Sequence, residues 1–494
     1  MSEHQSSYRS IFKATSIFGG VQVFNIFITL IRTKAVAILI GTAGMGMNGL
    51  FMSGLNLIRI ISSLGISESA VRDISKAHAS GDTFNINKTF TVFKRWIWIT
   101  ALLGIVITIA FSPFLSKFSF GSTDYTKSYI LLSITFLFGA FSGGIYTFLR
   151  GTRQIKYLAQ ANILGGVVGL VVALPIFYFY GISGVVPAII LTAFGNYLVS
   201  LYFRNKIKYT VIKVNWSETL NLGKPMVQLG LSLTFVNLLA AAVTFSLNAF
   251  ISKTGNLSDL GLYNAGQAIV EGYVGMVFTA MAADYFPRLS GAIDDEKQWK
   301  SIANEQAELL LIILGMILIL LIATAPLLIK ILLSKEFLAS QDYITLAVLA
   351  IPLKGIVWVM GFIILANGSN KLFLIVEILS NLTLLFLNIS FYHFYGLQGL
   401  GISLIISYVL SLIALLIIVK KKYQFKFSGS VYKLLIINVC SLSLSLAALS
   451  FLKIPQAYFI EAVIVIIVIG YNLYELNSRI NIKAIVYSIK DKFK

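Results

Sequence analysis

Apolar stretches long enough to cross a membrane follow one another along almost the whole chain, separated by short polar segments. An α-helix needs about 20 consecutive apolar residues to cross the hydrocarbon core of a bilayer. The pattern therefore predicts an all-α, polytopic membrane protein with about fourteen transmembrane helices. The predicted spans are 12–40, 46–68, 91–112, 128–149, 156–179, 183–203, 226–251, 262–285, 303–330, 342–366, 371–394, 398–419, 432–452 and 457–476.

Glycine-containing loops recur at a nearly constant offset and indicate an internal duplication. Three pairs of positions lie 215 residues apart: Gly46 with Gly261, Gly181 with Gly396, and Ser75 with Ser290. The loop 150–153 matches 367–370 at an offset of 217, which implies a two-residue insertion. We therefore expect two pseudo-symmetric six-helix lobes in the same orientation, at 1–213 and 214–428, followed by a C-terminal helix pair and basic tail at 429–494. Two such lobes are typical of transporters that work by alternating access.

Charge is sparse and unevenly distributed. Only 12% of the residues are charged, whereas soluble domains have about 25%. The net charge of +19 does not indicate nucleic-acid binding, because the basic residues lie in short loops. Of 39 Lys and Arg residues, 29 fall in alternate loops and termini, 6 fall in the other loops and 4 lie within apolar segments. The positive-inside rule then places both termini in the cytoplasm.

Seven ionisable residues within the predicted spans are the candidate functional residues. A charge at a helix centre costs about 2.5–3.5 kcal/mol on insertion, so such residues usually face an aqueous cavity or a partner. Because Arg and Lys are the usual phosphate ligands, we expect a cationic cavity between the lobes that binds an anionic substrate. The alternative is interhelical ion pairing, for example of Arg59 or Lys354 with Glu271. The candidates are Arg32, Lys34, Arg59 and Lys354 for substrate binding, and Glu271, Asp284 and Glu377 for coupling or gating.

The two lobes do not carry the same charges. In the duplication, Glu271 aligns with Asn56 and Glu377 with Gln160, so the acids are specific to the second lobe. Asp284 lies close to Arg288, near the predicted cytoplasmic end of its helix, and a gate or a structural pair is the expected role there.

Five segments together resemble the Wzx-type flippases of the multidrug/oligosaccharidyl-lipid/polysaccharide exporter superfamily, in particular the O-antigen and enterobacterial common antigen translocases. The resemblance covers roughly 10–420. It rests on Lys34 with the glycine-rich turn 41–46, on 65–72, on 268–273, on 285–290 and on the block 354–377.

The resemblance implies the substrate and some site roles. It implies transport of undecaprenyl-pyrophosphate-linked oligosaccharide across the bacterial cytoplasmic (inner) membrane, with Lys34, Lys354, Glu271 and Glu377 as functional positions. Arg32 and Arg59 have no counterpart in the family pattern. The last two helices depart from the twelve-helix members and resemble the extra pair of lipid-II-type flippases. Glycan polymerase machinery and membrane lipids are the further expected partners.

Two other functions are compatible with a polytopic membrane protein of this length. The first is an ion-coupled exporter of small molecules with a fold like that of multidrug exporters. An exporter of cationic drugs needs an anionic cavity, whereas Arg32, Lys34, Arg59 and Lys354 predict a cationic one. A membrane glycan polymerase or glycosyltransferase is the second, but the predicted outer loops are short and lack acidic clusters. The sequence has no Walker A motif and no cluster of histidines. We therefore expect a transporter, not an enzyme, that uses no cofactor, binds no metal and has no nucleic-acid partner.

Overall fold

The computed structural model describes the backbone of residues 3–479 apart from 208 and 211, and side chains from residue 28 onward except at 232, 233, 273, 283 and 454. The predicted basic tail beyond Arg479 lies outside the described residues. Fourteen α-helices follow one another: α1 Glu3–Ser63, α2 Ile66–Ala79, α3 Thr83–Phe120, α4 Thr126–Leu132, α5 Ile134–Gly151, α6 Ile155–Tyr180, α7 Val185–Arg204, α8 Trp216–Thr254, α9 Leu257–Gly291, α10 Glu296–Leu332, α11 Gln341–Ala366, α12 Asn370–Tyr423, α13 Gly429–Phe451 and α14 Ile454–Arg479. Short 3₁₀ turns lie at Gly181–Gly184 and Lys335–Ser340.

The helices confirm the predicted fold class. α1 and α12 each contain two spans, divided by non-helical backbone at Gly41 and Gly396. α2 and α4 are too short to cross a bilayer, and the other helices of the described chain make fourteen segments, which correspond to the fourteen predicted spans. Ten stretches of the described chain are long and apolar enough to cross a membrane. The predicted span 262–285 in α9, which carries Glu271 and Asp284, is not among those ten.

The second predicted span, 46–68, is wrong at its C-terminal end. The helix stops at Ser63 because Leu64 and Gly65 adopt positive φ angles of 50° and 64°. A Cβ atom on Gly65 would lie 2.2 Å from the carbonyl oxygen of Gly230 in α8, so the backbones pass each other where only glycine fits. The chain then continues as α2, which the hydrophobic pattern did not separate from the span.

The duplication is visible in the backbone of equivalent turns. Gly181 has φ 53° and ψ −132°, and Gly396 has φ 57° and ψ −137°. Three residues later, Gly184 and Gly399 lie against the carbonyl oxygens of Ile176 and Phe391, which are again 215 apart. These turns confirm the offset found in the sequence.

The predicted two-residue insertion is wrong. The structural equivalent of Arg153, with φ 56°, is Gly368, with φ 68°, at the offset of 215 and not 217. The hydrogen bond from Gln154 N to Leu149 O recurs from Ser369 N to Ile364 O, also 215 apart. Aligning glycine with glycine misplaced this loop, because in the first repeat the left-handed position is occupied by an arginine.

The chain divides into two compact units. The first comprises residues 1–261 with 332–334, and the second comprises 262–331 with 335–494. In the first unit α8 packs against α1, α2 and α3. The predicted lobe boundary at 213/214, which would assign α8 to the second lobe, stays a prediction.

Two repeat-related glycines cross each other in the first unit. A Cβ on Gly46 would lie 1.9 Å from the carbonyl oxygen of Leu257, and a Cβ on Gly261 would lie 1.9 Å from the carbonyl oxygen of Thr42. Because Leu257 is itself 215 residues after Thr42, the contact is reciprocal. The start of the second half of α1 and the start of α9 thus meet backbone to backbone.

This crossing predicts that Gly46→Ala lowers stability by about 1–3 kcal/mol, because backbone atoms must shift to admit the methyl group. The thermal unfolding midpoint of the purified protein in detergent measures the effect. Gly139→Ala is the matched control, because a Cβ there meets nothing within 4 Å and alanine favours a helix. Equal midpoints for both variants would contradict the described crossing.

The segment between α7 and α8 and the first turn of α8 are both fastened to α3. Asn87 Nδ2 donates to Thr210 Oγ1 at 2.9 Å, and Arg95 donates to Thr219 Oγ1 at 2.7 Å. Lys88 forms an ion pair with Glu218. The hydrogen bond from Lys88 holds the pKa of the Glu218 carboxyl below its usual value. The segment is therefore part of the first unit and not a free linker.

The C-terminal helix pair is held to α10 in the second unit. Arg479 at the end of α14 contacts Glu308 of α10 at 2.6 Å and Glu475 at 2.5 Å. Deeper in the pair, the buried Asn438 donates its amide to Leu311 O at 2.8 Å. These polar contacts fix α13 and α14 against the helices of the second repeat.

Candidate functional site

The two cations of the first half of α1 point in different directions, as their spacing of two residues predicts. The side chain of Arg32 is half-buried and that of Lys34 is exposed. Arg59 lies in the second half of α1, where it is exposed and donates a hydrogen bond to Asn56 Oδ1 at 2.7 Å. Thus Arg59 is held by a neutral amide one turn away on its own helix.

None of these three cations is neutralised within the part of the chain that the structure describes. The ion pairs of the first unit join Arg72 to Asp73, Lys88 to Glu218 and Arg150 to Glu68, and do not include the three candidates. An uncompensated cation in an apolar helix costs about 2.5–3.5 kcal/mol. The arrangement is therefore suited to receiving an anion.

The cation of the second unit lies in a mixed environment. Lys354 of α11 is half-buried and interacts electrostatically with Tyr408 of α12 and Glu271 of α9. Its Nζ lies 5.7 Å from the ring centroid of Phe278. Three helices thus converge on one ammonium group. Lys354 and Glu271 do not form the ion pair that was the predicted alternative, because their charged atoms are more than 4.0 Å apart, and they interact only at longer range.

Glu271 sits beside a buried tyrosine pair. The ring centroids of Tyr263 and Tyr343 are 5.1 Å apart, and both side chains lie within the electrostatic influence of Glu271. The carboxylate itself is exposed and accepts a hydrogen bond from Gln267 at 3.4 Å. The side chain is therefore accessible while its surroundings are fixed.

The remaining two acids differ in their surroundings. Asp284 pairs with Arg288 at 3.1 Å, one turn along α9, with both side chains exposed. The expected role of Asp284, as a gate or as a structural pair, stays a prediction. Glu377 of α12 is half-buried, and its carboxylate makes no ion pair with a described residue. Its backbone oxygen accepts a hydrogen bond from Asn381.

With the corrected offset, both second-repeat acids stand where the first repeat has asparagine. Glu271 corresponds to Asn56, and Glu377 corresponds to Asn162 and not to Gln160. The first repeat uses Asn56 to hold Arg59. At both pairs of equivalent positions, the first repeat therefore has a neutral amide and the second repeat has a carboxylate.

Tyr408, Tyr263 and Tyr343 belong to this site although sequence reasoning did not select them. Tyrosines are frequent in membrane proteins and usually form interfacial belts, so the residue type alone does not indicate a functional role. The available signal was position, since Tyr408 falls in the middle of the predicted span 398–419. The seven predicted residues are thus divided among different surroundings, and their roles stay predictions.

The site offers charge and hydrogen bonding without obvious covalent chemistry. Within the described residues there is no group of three or more His, Cys, Asp or Glu side chains that could hold a metal ion. The first unit provides two exposed basic groups and a half-buried arginine, and the second unit provides a half-buried lysine, two exposed carboxylates and a half-buried one, all within predicted transmembrane spans. Such groups can bind and release a charged solute.

Sequence comparison places the chain among known membrane proteins. The family model described as "Polysaccharide biosynthesis protein" matches residues 35–342, more than half of the chain. The chain is 20% identical over 370 residues to the lipid III flippase of Escherichia coli strain K12, which covers 72% of this chain and 85% of that protein. The lipid III flippase of Shigella flexneri matches to the same extent.

Solved structures with the same fold are transporters. An inward-facing multidrug resistance MATE family transporter matches with a TM-score of 0.66 at 16% identity, over 81% of this chain and 94% of that one. The lipid II flippase MurJ, in an inward closed conformation, matches with a TM-score of 0.60 at 15% identity, over 95% of this chain and 99% of that one. At these identities the likeness concerns the fold alone, and with MurJ it extends over nearly all of both chains.

Proposed function

The chain belongs to the polysaccharide biosynthesis protein family, and from that premise we propose that it flips a lipid-linked oligosaccharide from the cytoplasmic to the outer leaflet of the bacterial cytoplasmic membrane. The proposed substrate carries an undecaprenyl-pyrophosphate headgroup. Movement would occur by alternating access of the two repeats. Basic side chains of both units, Arg32, Lys34, Arg59 and Lys354, would bind the pyrophosphate.

The observation that carries the proposal is the set of uncompensated cations in α1. Arg32, Lys34 and Arg59 have no carboxylate partner among the described residues, although each lies in an apolar span. A pyrophosphate supplies about two negative charges, which would offset the cost of these groups whenever substrate is bound. The named functions of the relatives, lipid III and lipid II flippases, support a substrate of the same chemical class.

The membrane potential supplies a direction for such a substrate. An inside-negative potential is worth about 2.3 kcal/mol per charge per 100 mV, and it favours outward movement of an anion. Glu271, exposed beside Lys354, is the carboxylate that we propose to couple movement to an ion or to gate the site. Glu377 and Asp284 are the second and third candidates for that role.

An exporter of small molecules is the alternative, because the fold is shared with MATE family transporters. The charge of the candidate site discriminates between the two. A cationic drug would be repelled by three basic groups that have no carboxylate partner in the described part of the chain, whereas a phosphate would be attracted.

Deletion of the gene in its host, followed by complementation, tests the proposal. We expect the deletion strain to lose surface glycan and to accumulate lipid-linked oligosaccharide in the inner leaflet, and the wild-type chain to restore both. A membrane-impermeant glycosidase applied to inverted vesicles measures the inner-leaflet pool. Normal surface glycan in the deletion strain, together with raised accumulation of cationic drugs, would favour the exporter.

A further inference from the structure

A second basic site lies in the first unit, away from the candidates described above. A pocket of about 300 Å³ is enclosed by α3, α5, α7 and the segment that follows α7. Two cations line it, Lys94 of α3 and Arg204 at the end of α7. The predicted orientation places both at the cytoplasmic end of their helices. None of the seven candidate functional residues lines this pocket.

Both cations are available to a ligand. Lys94 and Arg204 are half-buried, and neither takes part in the ion pairs of the described residues. The Nε atom of Arg204 donates to the hydroxyl of Tyr209, whose ring centroid lies 5.1 Å from the guanidinium carbon. This contact orients the guanidinium and leaves its two terminal nitrogens without a described hydrogen-bond partner.

The rest of the wall is aromatic. Trp98 packs edge-on against Phe141 with ring centroids 4.7 Å apart, and Phe141 lies 5.8 Å from Tyr197. On the other side Phe90 lies 4.1 Å from Tyr209. Trp98 is 46% exposed, so the aromatic wall reaches the surface of the unit. Amphipathic rings of this kind are typical of the membrane–water interface.

We propose that this pocket binds the phosphate headgroup of an anionic lipid, with Lys94 and Arg204 contacting the phosphate. Two cations that have no counter-ion among the described residues, one of them held in a fixed orientation by Tyr209, match a phosphate in charge. The aromatic wall accommodates the apolar part of the lipid next to the headgroup. Basic pockets between transmembrane helices on the cytoplasmic side are a recurrent form of anionic-lipid site.

The proposal does not depend on the transported substrate. The phosphate could belong to a glycerophospholipid of the inner leaflet or to a prenyl phosphate, since both present the same group to Lys94 and Arg204. A site in one unit that holds a lipid phosphate would anchor the α7–α8 segment through Tyr209 while other parts of the protein move.

Native mass spectrometry of the full-length protein in detergent tests the proposal. The probes are phosphatidylglycerol, phosphatidylcholine, undecaprenyl phosphate and inorganic phosphate, each titrated separately. We expect phosphatidylglycerol to bind in preference to phosphatidylcholine, and the double variant Lys94→Gln/Arg204→Gln to weaken that binding by about tenfold or more. Arg204→Lys should retain part of the affinity, because it keeps the charge but not the bidentate geometry.

A matched control removes the same charge elsewhere. Lys76→Gln/Lys156→Gln neutralises two exposed lysines on the same predicted side of the membrane, in the same unit and outside the pocket. This control should bind phosphatidylglycerol as the wild type does. The thermal unfolding midpoint without lipid shows whether each variant is folded, and the lipid-induced rise in that midpoint is a second readout that should disappear only in the pocket variant.

The probes separate the sources of the phosphate. Selective binding of phosphatidylglycerol supports a glycerophospholipid, and selective binding of undecaprenyl phosphate supports a prenyl phosphate at the same residues. Binding of inorganic phosphate alone would overturn the assignment to a lipid. Equal loss in the pocket variant and the control, or undiminished binding in a folded pocket variant, would overturn the site.

Discussion

Lys354→Gln is expected to reduce transport by about tenfold to a hundredfold, because charge-assisted hydrogen bonds contribute about 1.5–3 kcal/mol each. Lys354 is half-buried where α9, α11 and α12 converge, with Tyr408 and Glu271 as its neighbours. Removing the ammonium group removes the positive charge of the second unit's site. Surface glycan and the inner-leaflet pool of lipid-linked oligosaccharide measure the effect.

The interaction of Lys354 with Glu271 can be measured separately. We expect Glu271→Gln alone to impair transport, and the double variant Lys354→Gln/Glu271→Gln to be less impaired than the sum of the two single effects, since the residues are electrostatically coupled. Lys371→Gln, an exposed lysine at the start of α12, is the control and should transport normally. Transport unaffected by Glu271→Gln would exclude that carboxylate from coupling.

Lys34→Ala and Arg59→Ala are expected to abolish surface glycan without preventing membrane insertion. Both side chains are exposed within the first unit and have no carboxylate partner among the described residues. Their removal should therefore leave stability unchanged or raise it, because an uncompensated charge in an apolar helix is unfavourable. Loss of transport with an unchanged or higher unfolding midpoint is the signature of a functional cation.

Two further variants control for this prediction. Arg59→Lys should restore part of the activity, because it keeps the charge while losing the fork of donors. Lys117→Ala removes an exposed cation from the last turn of α3 in the same unit and should transport normally. Unchanged glycan in both Lys34→Ala and Arg59→Ala would remove the cationic site from the mechanism.

The sequence predicted the helices well because the bilayer imposes a fixed length on each apolar span. The errors occurred where backbone conformation, not hydrophobicity, ends a helix. Leu64 terminates the second span with a positive φ, and this conformation cannot be predicted from an apolar side chain. The loop at Arg153 was misaligned for the same reason, because its left-handed residue is an arginine in one repeat and Gly368 in the other.

The candidate site could be predicted only in part. Charged residues in apolar spans stand out in a sequence, so Arg32, Lys34 and Lys354 were accessible to inspection. The neighbour of Lys354 could not be predicted in this way, because Tyr408 approaches it from another helix, 54 residues further along the chain. Likewise, nothing in the local sequence around Arg59 distinguishes pairing with a carboxylate from the observed hydrogen bond to Asn56.

A binding measurement tests most directly whether the basic residues receive a phosphate. It compares the affinity of the purified protein for two ligands: the oligosaccharide on a short-chain prenyl pyrophosphate, and the same oligosaccharide on a neutral prenol. We expect the pyrophosphate form to bind about a hundredfold more tightly, and Lys34→Gln/Lys354→Gln to reduce that preference to near unity. Equal affinity of the wild-type protein for both forms would contradict the account.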